Sequence, residues 1–233
     1  MPTPIESMRL VARELNSLGV SFAFLGGCAV SLLVDRPDLT DLRPTEDVDV
    51  IVEIATLNEL YKLEEILRDA GFQHDTSEGA PICRWIVEGC LVDIMPIDSR
   101  PLGMNSRWFR EALESAQPVA LGQNVEAKVV TRPIFVATKL AAFQDRGHSD
   151  LYGSRDVEDI VTVVEGSSTI IEQIANASPD LRRFIAKGFS KMIEHADFDE
   201  ALFGHLSAMF GARERVDEIK QKFAAIAALG KSQ

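Results

Sequence analysis

Apolar residues recur every three or four positions from Ile5 to Leu18, with Met8, Val11, Ala12, Leu15 and Leu18 on one side. That period predicts an amphipathic helix, and Gly19 is placed to stop it. Ser21–Leu25 is a short apolar run of strand length. Gly26-Gly27 interrupts it, and Cys28–Val34 predicts a short helix. Asp35–Thr45 is polar and holds Pro37 and Pro44, which predicts a loop. Asp47–Ile54 is rich in β-branched residues and predicts a strand. Thr56–Ala70 returns to the helical period and ends at Gly71. Ile82–Val87 and Cys90–Ile97 predict two strands joined as a hairpin at Glu88-Gly89.

Beyond this point the pattern changes. Trp108–Ala116 predicts a helix and Lys128–Thr131 a further strand. From Pro133 onward almost everything has helical spacing, with candidate helices Pro133–Asp145, Ser154–Val164, Thr169–Ala175, Pro179–Glu194, Phe198–Phe210 and Ala212–Leu229. No internal repeat is visible. The expected fold class is α/β (α+β): a small mixed sheet with flanking helices, followed by a helical C-terminal domain. The expected domains are residues 1–131 and 132–233.

Composition narrows the classes of function. The 233 residues carry 24 basic and 36 acidic side chains, a net of −12. Residues 1–100 hold 8 basic and 18 acidic groups, a net of −10, so the acidity is concentrated early. A non-specific nucleic-acid binder needs clustered Lys and Arg, so no stable DNA binding is expected. A polybasic membrane-surface protein is equally disfavoured. No apolar run reaches transmembrane length, and Met1–Ser7 has neither a basic n-region nor an apolar h-region. Three cysteines, Cys28, Cys83 and Cys90, are an odd and sparse set that predicts reduced thiols and a cytoplasmic location. They lack zinc-ligand spacing.

The chemistry sits in Thr45-Glu46-Asp47-Val48-Asp49-Val50-Ile51-Val52. Alternate strand residues share a face, so Asp47 and Asp49 lie together opposite Val48, Val50 and Val52. Two carboxylates side by side repel and want a compensating cation. Oxygen ligands without Cys or His favour Mg²⁺ or Mn²⁺. A third acid, Asp93, interrupts the apolar strand Leu91–Met95; beside Asp47 and Asp49 it would complete a metal site for phosphoryl displacement. Upstream, Gly26 and Gly27 follow a strand and open a helix, where backbone N–H groups favour an anion. Each feature also has a plain structural reading. The glycines can be an ordinary turn, the acids can be charges on an edge strand, and Asp98 competes with Asp93.

A Gly-Gly turn, Asp-x-Asp on a strand and a lone Asp on a later strand resemble the DNA polymerase beta-like nucleotidyltransferase superfamily. The resemblance implies a nucleotidyltransferase-type sheet. It also implies transfer of a nucleoside monophosphate from an NTP, with pyrophosphate leaving. Nineteen residues separate Gly27 from Asp47, more than compact members of the superfamily have, and Asp35–Thr45 absorbs the excess.

A second constellation lies further on. Lys139, Ala142 and Arg146 fall on one helix face, and Asp156 and Asp159 are three apart in Ser154–Ile160. The run Lys-x-x-Ala-x-x-x-Arg followed by Asp-x-x-Asp resembles the AbiEii-type (MenT-like) nucleotidyltransferase toxins, over Gly26 to about Glu165. The family implies that Lys139 binds the triphosphate and that Asp156 sits at the metal or acts as a base. Arg146 and Asp159 would be supports, pairing with one another. It further implies an RNA acceptor, a tRNA 3′ end, an antitoxin protein as partner, and a helical domain completing the nucleotide cleft. A protein or small-molecule acceptor, such as an antibiotic, and a non-catalytic nucleotide-binding module remain alternatives. His74, His148, His195 and His205 are scattered and carry no expected catalytic role, with His148 in the loop between the charged helices. Trp85 and Trp108 are expected to pack. So are Phe184, Phe189, Met192, Phe203, Met209 and Phe210.

Overall fold

The computed structural model describes residues 2–35, 45–146, 150–206 and 212–231. His148, Met209, Phe210 and most of the Asp35–Thr45 loop lie outside the described residues. Ten helices and seven strands are present among the described residues. In chain order they are α1 (Pro4–Ser17), β1 (Phe22–Leu25), α2 (Gly26–Leu33), β2 (Asp47–Val52), α3 (Leu57–Asp69), β3 (Gln73–His74), β4 (Arg84–Val87), β5 (Cys90–Pro96), α4 (Phe109–Ser115), β6 (Gln117–Ala120) and β7 (Glu126–Val129). The remainder is helical: α5 (Arg132–Asp145), α6 (Arg155–Gly166), α7 (Ile170–Ala175), α8 (Pro179–Ile193), α9 (Phe198–Leu206) and α10 (Ala212–Ala228).

The chain divides into two compact units. One comprises Met1–Leu32 with Arg43–Thr131, and the other Leu33–Leu42 with Arg132–Gln233. In the second unit, Arg132 donates from Nε to the Leu33 carbonyl (2.5 Å) and from Nη2 to Asp35. Asp35 also accepts from the Ser168 amide and hydroxyl (both 3.2 Å). These bonds tie Leu33–Asp35 to the helical part of the chain, although it lies early in the sequence.

The first unit is built on one mixed sheet, ordered β3-β4-β5-β2-β1-β7-β6. β2 runs parallel to β5 and antiparallel to β1. Two helices begin on capping boxes at a Thr-x-x-Glu spacing. In α1 the Glu6 amide donates to Thr3 Oγ1 (3.3 Å) while the Thr3 amide donates to Glu6 (2.7 Å). Thr56 and Glu59 repeat this at α3. Each cap satisfies first-turn donors that the helix cannot. The hairpin forms at Glu88-Gly89, where both residues take positive φ (+48° and +78°) as a two-residue primed turn needs.

Two strands escape the sequence pattern. β3 has two residues, and β6 (Gln117–Ala120) is short, exposed and contains Pro118, which suits it to the edge position it occupies. β7 lies two residues earlier than the period suggests. More importantly, β2 is the central strand of seven, so the edge-strand reading of Asp47 and Asp49 is excluded. Val48, Val50 and Val52 are buried, as the alternation predicts.

Among the described residues, the second unit holds helices and no strand. α5 packs on α6, α7 and α8, and α10 packs on α8 and α9. Phe223 is central, with Phe189 at 4.5 Å and Phe198 at 5.4 Å between ring centroids. Lys222 donates to the carbonyls of Val164 (2.8 Å), Glu165 (3.0 Å) and Ser167 (3.0 Å), satisfying acceptors at the end of α6. Trp85 and Trp108 are buried, as expected of packing residues. Phe189 and Met192 are buried too, but Phe203 is 48% exposed and is not a core residue: it lies on the outer side of α9, whose inner side carries Ala201, Leu202 and Leu206.

Candidate active site

The two registers around β5 decide which side chains meet. β2–β5 pairing sets Asp49 opposite Asp93, and β4–β5 pairing sets Asp93 opposite Arg84. Asp47 lies two residues from Asp49, so all four share one face of the sheet, on strands roughly 4.8 Å apart. The structure therefore brings Asp47, Asp49 and Asp93 onto neighbouring positions.

β1–β2 pairing sets Leu25 opposite Asp49 and delivers the glycine turn to the same place. Gly26 has φ +71°, a left-handed conformation. A Cβ on Gly26 would lie 1.8 Å from Asp49 Oδ2. The Asp49 carboxylate thus occupies the space that any side chain at 26 would need. Gly27 follows as the second residue of α2, whose first-turn N–H groups lack intrahelical acceptors.

Arg84 is the residue that sequence reasoning missed. Its guanidinium forks onto Asp93, with Nε donating to Oδ1 (2.7 Å) and Nη2 to Oδ2 (2.8 Å). The same Nη2 donates to Asp47 Oδ2 (2.5 Å). Its hydrogen bonds to Asp93 push the guanidinium pKa up despite the opposing effect of burial, and the charges of Asp93, Asp47 and Asp49 add to the rise. A signal existed: Arg84 interrupts the apolar run Ile82–Val87 just as Asp93 interrupts Leu91–Met95.

The neighbouring thiol feels these charges. Burial, then Asp93 and Asp49, push Cys83 up to about 12. It therefore holds its proton where an unfolded thiol, near 9, has lost it, and its contribution to stability fades as pH rises from about 9 to 12. Native protein treated with iodoacetamide at pH 9 is expected to leave Cys83 unmodified in peptide mass spectra, whereas denatured protein is alkylated there. Rapid labelling of the native thiol would contradict this environment. All three cysteines are buried and none forms a disulfide.

Asp98, the competitor of Asp93, lies beyond β5. It is held down to about 2 by hydrogen bonds from Arg100, at 2.8 Å to Nε and 2.6 Å to Nη2. It is thus paired locally, outside the β2–β5 register. Among the histidines, His74 stacks on Trp85 with centroids 3.6 Å apart, and His205 Nε2 lies 2.9 Å from the Leu151 carbonyl oxygen.

The second constellation is also assembled, within the helical unit. Lys139 Nζ is 2.6 Å from Asp159 Oδ2 and 3.4 Å from Asp156 Oδ1. Arg146 Nη1 donates to Asp156 Oδ2 (2.6 Å), so it meets Asp156 in place of the expected pairing with Asp159. Both carboxylates are only 3% exposed. The cluster joins α5 to α6.

For a divalent ion, the donor chemistry of Asp47, Asp49 and Asp93 fits: all ligands are hard carboxylate oxygens, and a cation, the Arg84 guanidinium, already stands among them. Of the three, Asp47 and Asp93 are hydrogen-bonded to that guanidinium. Among the described residues no group of three or more His, Cys, Asp or Glu is gathered in metal-holding geometry. No helix among the described residues is long and apolar enough to cross a membrane.

No protein-family model and no curated protein matches the chain. Solved structures do. The chain is similar to an antigenic nucleotidyltransferase-like protein from Paracoccidioides brasiliensis, with 20% identity, 85% of this chain and 91% of that chain covered, and a TM-score of 0.51. It is also similar to JHP933 from Helicobacter pylori (13% identity, 97% and 91% covered, TM-score 0.49). A third is the antibiotic-resistance factor ANT(2'')-Ia (12%, 82% and 95%, TM-score 0.47). The fold is nucleotidyltransferase-like.

Proposed function

We propose that this protein is a metal-dependent nucleotidyltransferase that moves a nucleoside monophosphate from an NTP to an acceptor hydroxyl. The observation that carries this reading is the convergence of Asp47, Asp49 and Asp93 on one sheet face, beside the left-handed turn at Gly26. Asp47 and Asp49 would hold Mg²⁺ or Mn²⁺, with Asp93 completing the set. The bound metal would supply positive charge to the attacking and leaving oxygens of the displacement. Gly26 and Gly27 present backbone to the β- and γ-phosphates, where a side chain would block approach. Asp93 would also help activate the acceptor hydroxyl. The roles of Lys139 at the triphosphate and Asp156 as a base rest on the family resemblance. In the structure the Lys139 ammonium is shared by two carboxylates.

The finer reading is an AbiEii-type toxin that modifies an RNA, a tRNA 3′ end, and is neutralised by an antitoxin protein. It is supported by the Lys139–Arg146 and Asp156–Asp159 motif. The test is incubation with each α-labelled NTP, Mg²⁺ and total RNA, resolved on a gel that separates RNA from protein, with a parallel arm offering small hydroxylated antibiotics. Label is expected in RNA, and Asp49→Ala is expected to reduce it to background. Undiminished transfer by Asp49→Ala would sink the assignment; label in protein or antibiotic would redirect the acceptor.

A further inference from the structure

The geometry points to Arg84 as an internal counter-ion that exchanges with the divalent metal: the guanidinium occupies the carboxylate set until a metal arrives, and metal binding moves it off Asp47 and Asp93. This inference rests on the nucleotidyltransferase reading of the same site.

Three observations carry it. Both oxygens of Asp93 and one of Asp47 accept hydrogen bonds from this one side chain. Strand register places Arg84 opposite Asp93 and Asp93 opposite Asp49, so the guanidinium stands on the face that carries all three carboxylates. Arg84 is also able to leave. It comes from β4, a four-residue strand separated from the edge of the sheet only by the two-residue β3, and its side chain keeps 18% of its surface exposed.

Charge gives the reason for exchange. Three carboxylates on neighbouring positions destabilise one another unless a cation is present. Arg84 supplies one positive charge through a planar fork matched to a carboxylate. A divalent ion supplies two. Placed against the same carboxylates, the ion and the guanidinium would repel, so occupancy by one weakens the other. Reciprocity follows from linkage: whatever free energy Arg84 contributes to the metal-free site is subtracted from metal affinity. A fixed structural ion pair would behave differently, since it would persist unchanged beside a bound ion.

The experiment is Mn²⁺ binding to wild type, Arg84→Gln and Arg84→Lys, followed through the electron paramagnetic resonance of free Mn²⁺, without and with a non-hydrolysable NTP. Arg84→Gln is expected to bind Mn²⁺ about tenfold more tightly than wild type in the absence of nucleotide. Arg84→Lys, with one point charge and no fork, should fall between. Mn²⁺ should also raise the unfolding midpoint of Arg84→Gln more than that of wild type. In wild type, the Arg84 Nε–H resonance, assigned through its side-chain carbon and nitrogen couplings in isotope-labelled protein, should shift and exchange faster with solvent when Mg²⁺ is added. That last measurement decides the matter alone if the variants do not fold. Equal or weaker Mn²⁺ binding by Arg84→Gln, or an Nε–H signal indifferent to Mg²⁺, overturns the exchange while leaving a metal site in place. Uptake of Mn²⁺ by neither protein, with or without nucleotide, overturns the metal reading together with the exchange.

Discussion

Gly26→Ala is expected to destroy nucleotidyl transfer and to lower stability by about 2–4 kcal/mol, the sum of a backbone and a steric cost. The backbone cost arises because φ at Gly26 is +71°, where an L-residue is strained by about 1–2 kcal/mol. The steric cost arises because the new Cβ would lie 1.8 Å from Asp49 Oδ2, 2.4 Å from its Cγ and 2.7 Å from its Cβ. No side-chain rotation relieves an overlap that includes the Asp49 Cβ, so β1 and β2 must separate locally or Asp49 must tilt away. Either movement takes Asp49 from its position opposite Asp93. A double-mutant cycle on stability separates the two costs without reference to activity. In an Asp49→Gly background the overlap is gone, so Gly26→Ala should cost only the backbone part. Additive effects of the two substitutions in urea unfolding would show that the turn and the acid are independent, contrary to this account.

Lys139→Met should destabilise the helical unit by about 3–5 kcal/mol, because it removes the ammonium shared by two buried carboxylates. Asp156 and Asp159 are each 3% exposed, and Lys139 lies between them. Arg146 remains for Asp156, but its side chain is 66% exposed and its pairing is screened by water. Asp159 would lose the ammonium that lies 2.6 Å from its Oδ2. Adding Asp159→Leu to Lys139→Met removes one of the two buried carboxylates, and the double variant should regain a large part of the loss. Urea unfolding of wild type and the two variants measures this. A Lys139→Met protein within about 1 kcal/mol of wild type would show that the cluster is not what holds α5 to α6.

The site was unevenly legible in the sequence. Asp47 and Asp49 were readable because period-two alternation is local: the buried valines at 48, 50 and 52 leave no other face for the acids. The hairpin at Glu88-Gly89 was readable for the same reason. β6 was not, since an edge strand that buries almost nothing leaves no apolar alternation. Phe203 misled in the opposite direction, because aromatic content in a helix does not say which side faces the core. The crossed pairing of Arg146 with Asp156 also escaped, since helix spacing says which residues share a face but not which partners meet across two helices.

What the sequence by itself determined was the order of the chemistry-bearing elements and the face on which each acid lies: strand, glycine turn, paired acids, lone acid. These follow from backbone periods of a few residues. Only the tertiary structure decided that β2 is central, that Asp49 registers with Asp93, and that Arg84 stands among the carboxylates. Asp49 meets Asp93 44 positions away and Arg84 meets Asp47 37 positions away, so neither meeting follows from a local backbone period. A cation in the apolar run of β4 acquires its meaning only when β5 places Asp93 opposite it and β2 brings Asp47 within reach.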